Sequence, residues 1–310
     1  MNRFFTAAIA AFALAACGGT EAKAPPAPER PARSERPVRP ERPVRPALWK
    51  VADADTTIYL FGTIHLLPKG LKWTTPVMAK AMAASQGLVL EVALDKDPAK
   101  LGAVMMALSK SPGLPPILDR VPPARRAALK AVIDKSAIPM AYLDGLETWA
   151  AALALSSASM AKLNLSYEQG AETSLTTAFE KMGKPVGGLE TAEQQLGYFD
   201  KLSEDAQRKF LTGIAEDDTN INKEFTAMIG AWKAGDVRRI AVSFDDEMKL
   251  SPELADVLLH RRNNNWAGWV SERMKKPGTV FVAVGAGHLA GKGSVEELVA
   301  RRGYKVVRVQ

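Results

Sequence analysis

Two stretches of this chain end in the same way. Ile58-Tyr-Leu-Phe-Gly-Thr-Ile-His65 and Thr279-Val-Phe-Val-Ala-Val-Gly-Ala-Gly-His288 each read as a buried strand followed by Gly-x-x-His, with Gly62 and Gly285 in equivalent places. The chain has three histidines, so two of them use this device. Two further apolar runs, Gly87-Leu-Val-Leu-Glu91 and Lys184-Pro-Val-Gly-Gly-Leu-Glu190, read as short strands that end in a carboxylate. Two imidazoles with carboxylates are a donor set for a divalent transition metal with open positions for water and substrate. Metal-bound water ionises near neutral pH, and an acid outside the metal sphere takes its proton. An arginine, Arg262, lies on an apolar helix face and must meet an anion or carboxylate, as substrate contact or as structural ion pair. The spacing alone is not diagnostic: there is no His-Glu-x-x-His, Cys pair, Gly-x-Ser-x-Gly elbow or Walker loop. What carries weight is the recurrence.

The elements that must position these residues follow from local patterning. Val51 to Phe61, broken by Asp53-Ala-Asp55, predicts a hairpin leading to Gly62. Glycine there and at 285 is expected to permit a sharp turn. Thr75-Pro76 opens a helix to about Ser85 and precedes the strand ending at Glu91. From Asp97 to about Met182 the pattern is helical, with starts at Asp97-Pro98, Pro122-Pro123 and a capping box Asp144-Gly-Leu-Glu147. Leu146 to Leu163 reads as a buried helix whose methionine, Met160, with Met105 and Met106, is core filler. Thr191-Ala-Glu-Gln194 is a second capping box, which places Glu190 just before a helix N-terminus that favours the ionised acid. There it serves as metal ligand or anionic clamp, or as a solvated capping acid. Ser251-Pro252 opens a helix to about Lys275 in which Leu254, Leu258, Trp266 and Trp269 flank Arg262, while His260 faces water. Ser294-Val-Glu-Glu297 caps a last helix, and Tyr304 to Val309 supplies a closing strand. The expected fold class is α/β: a central mixed sheet from two related α/β halves, with helical insertions, over residues 48–310.

The net charge of +7 belongs largely to the N-terminal region. Residues 18–47 carry +3 and Arg3 one more, leaving about +3 for the folded part, which shows no clustered basic face for nucleic acid. In 18–47 Arg recurs at 30, 33, 36, 39, 42 and 45 and Pro at 28, 31, 37, 40, 43 and 46. That period of three is the polyproline II repeat and predicts a semi-rigid linker of roughly 90 Å, its arginines along one edge. The stripe either touches an anionic surface or is a solvated spacer. Before it, Arg3, the apolar Phe4–Ala13 and Leu14-Ala15-Ala16-Cys17 read as a signal sequence too short to span a membrane. Leu-Ala-Ala-Cys resembles the lipobox of bacterial lipoproteins. This resemblance implies cleavage before Cys17, the only cysteine, and lipidation of its sulfur. Gly18 in place of an aspartate favours the outer membrane, so the expected setting is the cell envelope, lipid-anchored and facing the periplasm.

Gly62-Thr-Ile-His65-Leu, Glu91, Gly188-Leu-Glu190-Thr with Glu193-Gln194, Arg262-Asn263 with Trp266, and Val284-Gly-Ala-Gly-His288-Leu-Ala-Gly291 together resemble the TraB/PrgY/GumN family, in the expected order. The resemblance covers about Leu48 to Gln310. It implies a fold shared with erythromycin esterases and the haem-binding ChaN group, and a metal-dependent, peptidase-like hydrolase using manganese, cobalt or zinc. Its substrate would be a peptide or other small acyl compound. On this reading His65, His288 and Glu190 hold metal, Glu91 and Glu190 are ligand or general base, and Arg262 contacts substrate or oxyanion. Gly62, Gly285 and Asn263 complete the motif set. Family members often carry Asp after Gly-Val where this chain has Gly170-Ala-Glu172. The rival expectation is a non-catalytic binder of a peptide, haem or metal.

Overall fold

The structure is a computed structural model that describes residues 43–93, 95, 97–163, 165–217, 221–248 and 251–310. Cys17, the expected signal sequence and the expected linker up to residue 42 lie outside the described residues. Eight strands are present among them: β1 (Leu48–Ala52), β2 (Thr56–Thr63), β3 (Leu67–Pro68), β4 (Leu88–Val92), β5 (Leu165–Ser166), β6 (Val186–Glu190), β7 (Gly278–Gly285) and β8 (Val306–Arg308). Six form one sheet in the order β6-β4-β7-β2-β1-β8, and β3 pairs with β5 apart from it. The four strands β6, β4, β7 and β2 run parallel, while β1 and β8 are antiparallel to their neighbours. This is the expected α/β mixed sheet.

Val, Ile, Leu and Phe on both sides of β2 and β7 bury the sheet centre on two faces, as parallel strands require. Phe61, Phe281 and Ala283 pack into a large core with the long helical insertion. Ile58, Leu60, Val280, Val282 and Val284 face the opposite way, onto the helix Arg261–Arg273 and the helix Val295–Arg301. The predicted helix starts at Thr75, Asp97 and Ser251 are N-caps whose side chains accept backbone N–H groups, and Thr191 with Gln194 forms a full capping box.

Several expectations are corrected. Asp144 does not open a helix: it ends the short helix Met140–Asp144, and its carboxylate accepts the Ile117 N–H at 2.7 Å. The buried helix runs Thr148–Met160 with Glu147 in the cap position and no capping side chain. Met106 is not core filler, being 64% exposed. The linker ends before residue 47, since the Arg45 N–H bonds the Lys233 carbonyl and the Gln310 amide bonds the Pro46 carbonyl. Ser294 sits at the cap of the last helix but its side chain does not cap it. Glu297 reaches back to the Gly293 N–H instead. The helix after Ser251 contains a π-turn over Asp256–His260, in which the Arg261 N–H reaches the Asp256 carbonyl five residues back. Such turns re-aim the residues that follow them, here Arg262. No helix among the described residues is long and apolar enough to cross a membrane.

Candidate functional site

Four neighbouring parallel strands each deliver one of the sequence-derived residues at their carboxyl ends. Glu190 closes β6, Glu91 lies near the end of β4, His288 follows β7 and His65 follows β2. The crevice beyond such strand ends is where open α/β sheets place ligands. The two Gly-x-x-His segments are neighbours: Thr63 pairs with Gly285 and Gly62 with Val284, so they are offset by one residue. Gly62 and Gly285 are not in the left-handed region. Gly62 is needed for close approach, because a Cβ there would lie 3.1 Å from the Ala286 Cα. That corrects the sharp-turn expectation. His288 itself sits in a 3-10 turn, Ala286–Leu289.

Arg262 is the hub. It is 2% exposed and enters from the helix Arg261–Arg273. Its Nε donates to Glu190 at 3.0 Å, and Nη2 donates to Glu91 at 2.6 Å and to Glu190 at 2.9 Å. Nη1 meets the Leu258 carbonyl and His288 Nε2, both at 3.2 Å. Those contacts engage all five guanidinium N–H groups. Its plane also lies 4.6 Å from the Trp266 ring, and the Trp266 indole donates to Glu190 at 3.0 Å. Glu91 accepts in addition from the Gly285 N–H at 2.6 Å and from Gln195 at 3.1 Å. Asn263 accepts at Oδ1 from His288 Nδ1 (2.6 Å) and donates through Nδ2 to the Gly293 carbonyl (2.9 Å). Since a guanidinium can only donate, His288 Nε2 is the acceptor and Nδ1 carries the proton.

Electrostatics agree with that assignment. Burial disfavours charge on Glu91, yet Arg262, the two histidines and the Gly285 amide bring its carboxyl down to about 2. Burial, reinforced by Arg262, holds His288 down at about 3 against the pull of Glu91. Burial lifts Glu190 above the usual carboxylate range, with Arg262 opposing it, so the helix N-terminus does not decide its state as expected. Burial also works against the Arg262 cation, but the two carboxylates more than offset this and raise its pKa.

His65 stands beside this network, close enough for its charge to act on Glu91 and His288. Its Nδ1 lies 2.7 Å from Glu172 Oε1, an ion-pair contact when the ring is protonated. Glu172 sits in the first turn of the helix Ala171–Lys181, and Tyr167, just upstream, feels its charge: burial and Glu172 both push the phenol pKa up. Glu172, Tyr167 and Gln195 were not among the site residues expected from sequence. Only the displaced acid at 172 signalled any of them. Three buried polar atoms of this neighbourhood, Thr63 Oγ1, Tyr167 Oη and Gln195 Oε1, have no hydrogen-bond partner. Such atoms are uncommon in folded proteins.

The donor set does not fit the expected divalent ion. His288 Nε2, Glu91 and Glu190 all face a buried guanidinium, and a second cation among them would meet its charge at short range. His65 with Glu172 is a two-donor set, short of the three protein ligands typical of catalytic zinc. Among the described residues no three His, Cys, Asp or Glu side chains are grouped to hold a metal. Nor has Arg262 an uncommitted donor for an oxyanion.

Comparison with known proteins adds one assignment. The pattern of the TraB/PrgY/gumN family matches residues 47–308. The chain is also similar to the uncharacterized protein YbaP of Escherichia coli (strain K12), 23% identical over 241 residues, covering 78% of this chain and 87% of that protein. YbaP of Shigella flexneri matches with the same identity and coverage. No solved structure matches.

Proposed function

The chain belongs to the TraB/PrgY/gumN family, and from that premise we propose that it is a hydrolase of the cell envelope acting on a peptide or similar acyl substrate. The observation that carries the reading is the His65–Glu172 pair at 2.7 Å, at the carboxyl end of β2 beside buried unpaired hydroxyls. Glu172 orients the imidazole and stabilises its cation, the part a carboxylate plays beside a catalytic histidine. The ring takes a proton from water as the water oxygen attacks the acyl carbon, then returns it to the leaving group. The Tyr167 phenol, kept protonated by burial and by Glu172, is a donor for the developing oxyanion, as is the Thr63 hydroxyl. Arg262, Glu91 and Glu190, with the neutral His288, form the polar floor that fixes the strand tips. The envelope setting rests on the lipobox-like Leu14–Cys17 and the Arg/Pro linker.

The second reading, a non-catalytic binder of a peptide, haem or metal, is favoured by one feature: the Arg262 network is closed upon itself. Hydrolysis of a fluorogenic peptide library and of p-nitrophenyl esters by the purified full chain separates the two. Turnover that falls by about 100-fold or more in both His65→Asn and Glu172→Gln supports the hydrolase. Saturable peptide or haem uptake without turnover in the wild-type chain replaces it with the binder.

A further inference from the structure

The helix Pro98–Leu108 is apolar apart from Lys100, yet none of its residues is buried. Leu101, Val104, Met105 and Leu108 are only partly buried where they pack against the core, although an apolar helix normally lays its face fully on it. This one covers a cavity of about 390 Å3 shared with the buried helix Thr148–Met160 and with Leu146. The volume lies within the range of small-ligand pockets, about 300–1,000 Å3. Its walls include Leu101, Met105, Leu153 and Ala154, and none of its lining residues belongs to the charged site. At the mouth Met106 and Tyr142 are 64% and 59% exposed.

We propose that this cavity binds a single-chain fatty acid, with the alkyl chain inside and the carboxylate at Lys110. The lining selects such an occupant in three ways. It is aliphatic and thioether-rich with Tyr142 as its single aromatic ring, which suits a flexible chain better than a planar ring system. Its one charged group is the exposed Lys110, and no acid lines the cavity, so the charge complement is an anion. Ser109 and Ser157 bring only small hydroxyls, so the interior favours hydrocarbon over a polar chain.

The test is titration of the full chain with cis-parinaric acid, whose fluorescence rises in an apolar site, followed by displacement with palmitate and with methyl palmitate. The expected result is one saturable site per chain, displaced by palmitate and about fivefold less well by the uncharged ester, the scale of one exposed charge pair. Ala154→Trp fills the cavity and abolishes the signal, and Met105→Trp serves the same purpose should the first variant fail to fold. Lys110→Glu weakens the acid by about fivefold or more and leaves the ester unchanged. Absence of a saturable signal overturns the proposal. So does binding that survives a folded cavity-filling variant, or equal displacement by acid and ester.

Discussion

His288 accepts a hydrogen bond at Nε2 from Nη1 of Arg262, 3.2 Å away, and this contact fixes the imidazole as a neutral, Nδ1-protonated ring. The proton chain then runs in one direction, from Arg262 to His288 to the Asn263 side-chain oxygen. A ring so held is neither a free base nor a lone-pair donor to a metal. Nitrogen chemical shifts of His288 are expected to show an unprotonated Nε2 throughout neutral pH and down towards pH 3. A protonated Nε2 at pH 7 would overturn the assignment.

Acid stability follows from the same groups. Both His288, down at about 3 from 6.5, and Glu91, down at about 2 from 4.5, have depressed folded-state pKa values. For a depressed group the unfolded chain takes the proton first, so its stabilisation is complete above the unfolded pKa and is lost as pH falls. Unfolding free energy is therefore expected to decline from about pH 6.5 downward, by up to about 1.4 kcal/mol per pH unit for the one proton of His288. Below pH 4.5 Glu91 adds a second proton to that slope. Glu190, with its pKa raised, has the opposite sign: its contribution is lost as pH rises above 4.5. Urea unfolding across pH 3–8 measures the limb, and His288→Gln is expected to flatten the part between pH 6.5 and 4.5. An unchanged limb in that variant would rule out His288 as its source.

Removing Arg262 leaves two buried carboxylates without their cation. Arg262→Met is expected to cost about 3–5 kcal/mol of stability, the usual penalty for breaking a buried pair by deleting one partner. Arg262→Lys is expected to rescue little, because an ammonium cannot reproduce the five-donor fork. Thermal and urea unfolding check both, and a loss below about 1 kcal/mol for the methionine variant would contradict the role given to this residue.

Gly170 and Gly62 give a packing test. A Cβ on Gly170 would overlap the His65 carbonyl oxygen, and one on Gly62 would press on the Ala286 backbone. Both contacts involve main chain, which cannot swing aside. Alanine at either position is expected to destabilise by about 1–3 kcal/mol, with Gly170→Ala the more severe because it also shifts His65. A wild-type melting temperature in Gly170→Ala would show that the loop is not seated as described.

Chelation is expected to leave the fold untouched. Since the donors face a guanidinium, dialysis against EDTA should not change the melting temperature. Added manganese, cobalt or zinc should not raise it, whereas an ion at about 100 times its dissociation constant would add about 2.7 kcal/mol. A metal-dependent rise that vanishes in His65→Asn would restore a metal to this site.

The strands and their tips were legible because apolar β-branched runs broken by glycine or acid have few other uses, and His65, Glu91, Glu190 and His288 do converge. The capping threonines 75 and 191 were equally clear, since their chemistry is local. What lay beyond the sequence were contacts that depend on what else reaches a group. The pattern shows Arg262 on an apolar face, but not that five acceptors await it. Glu172 is over a hundred residues from His65 in the chain and carries no local signature of that partner. Asp144 has the form of a cap, yet the Ile117 amide, brought in by tertiary packing, competes for it successfully. Met106 failed for the same reason, since an apolar helix does not reveal whether anything covers it.

Pairing of β2 with β7 joins the first part of the domain to its last part, and β8 then adds the C-terminal end to the same sheet. During synthesis, therefore, His65 emerges long before the strand that must lie against its own. A growing chain has no assembled crevice until β7 has been made, so whatever this crevice does waits on that strand.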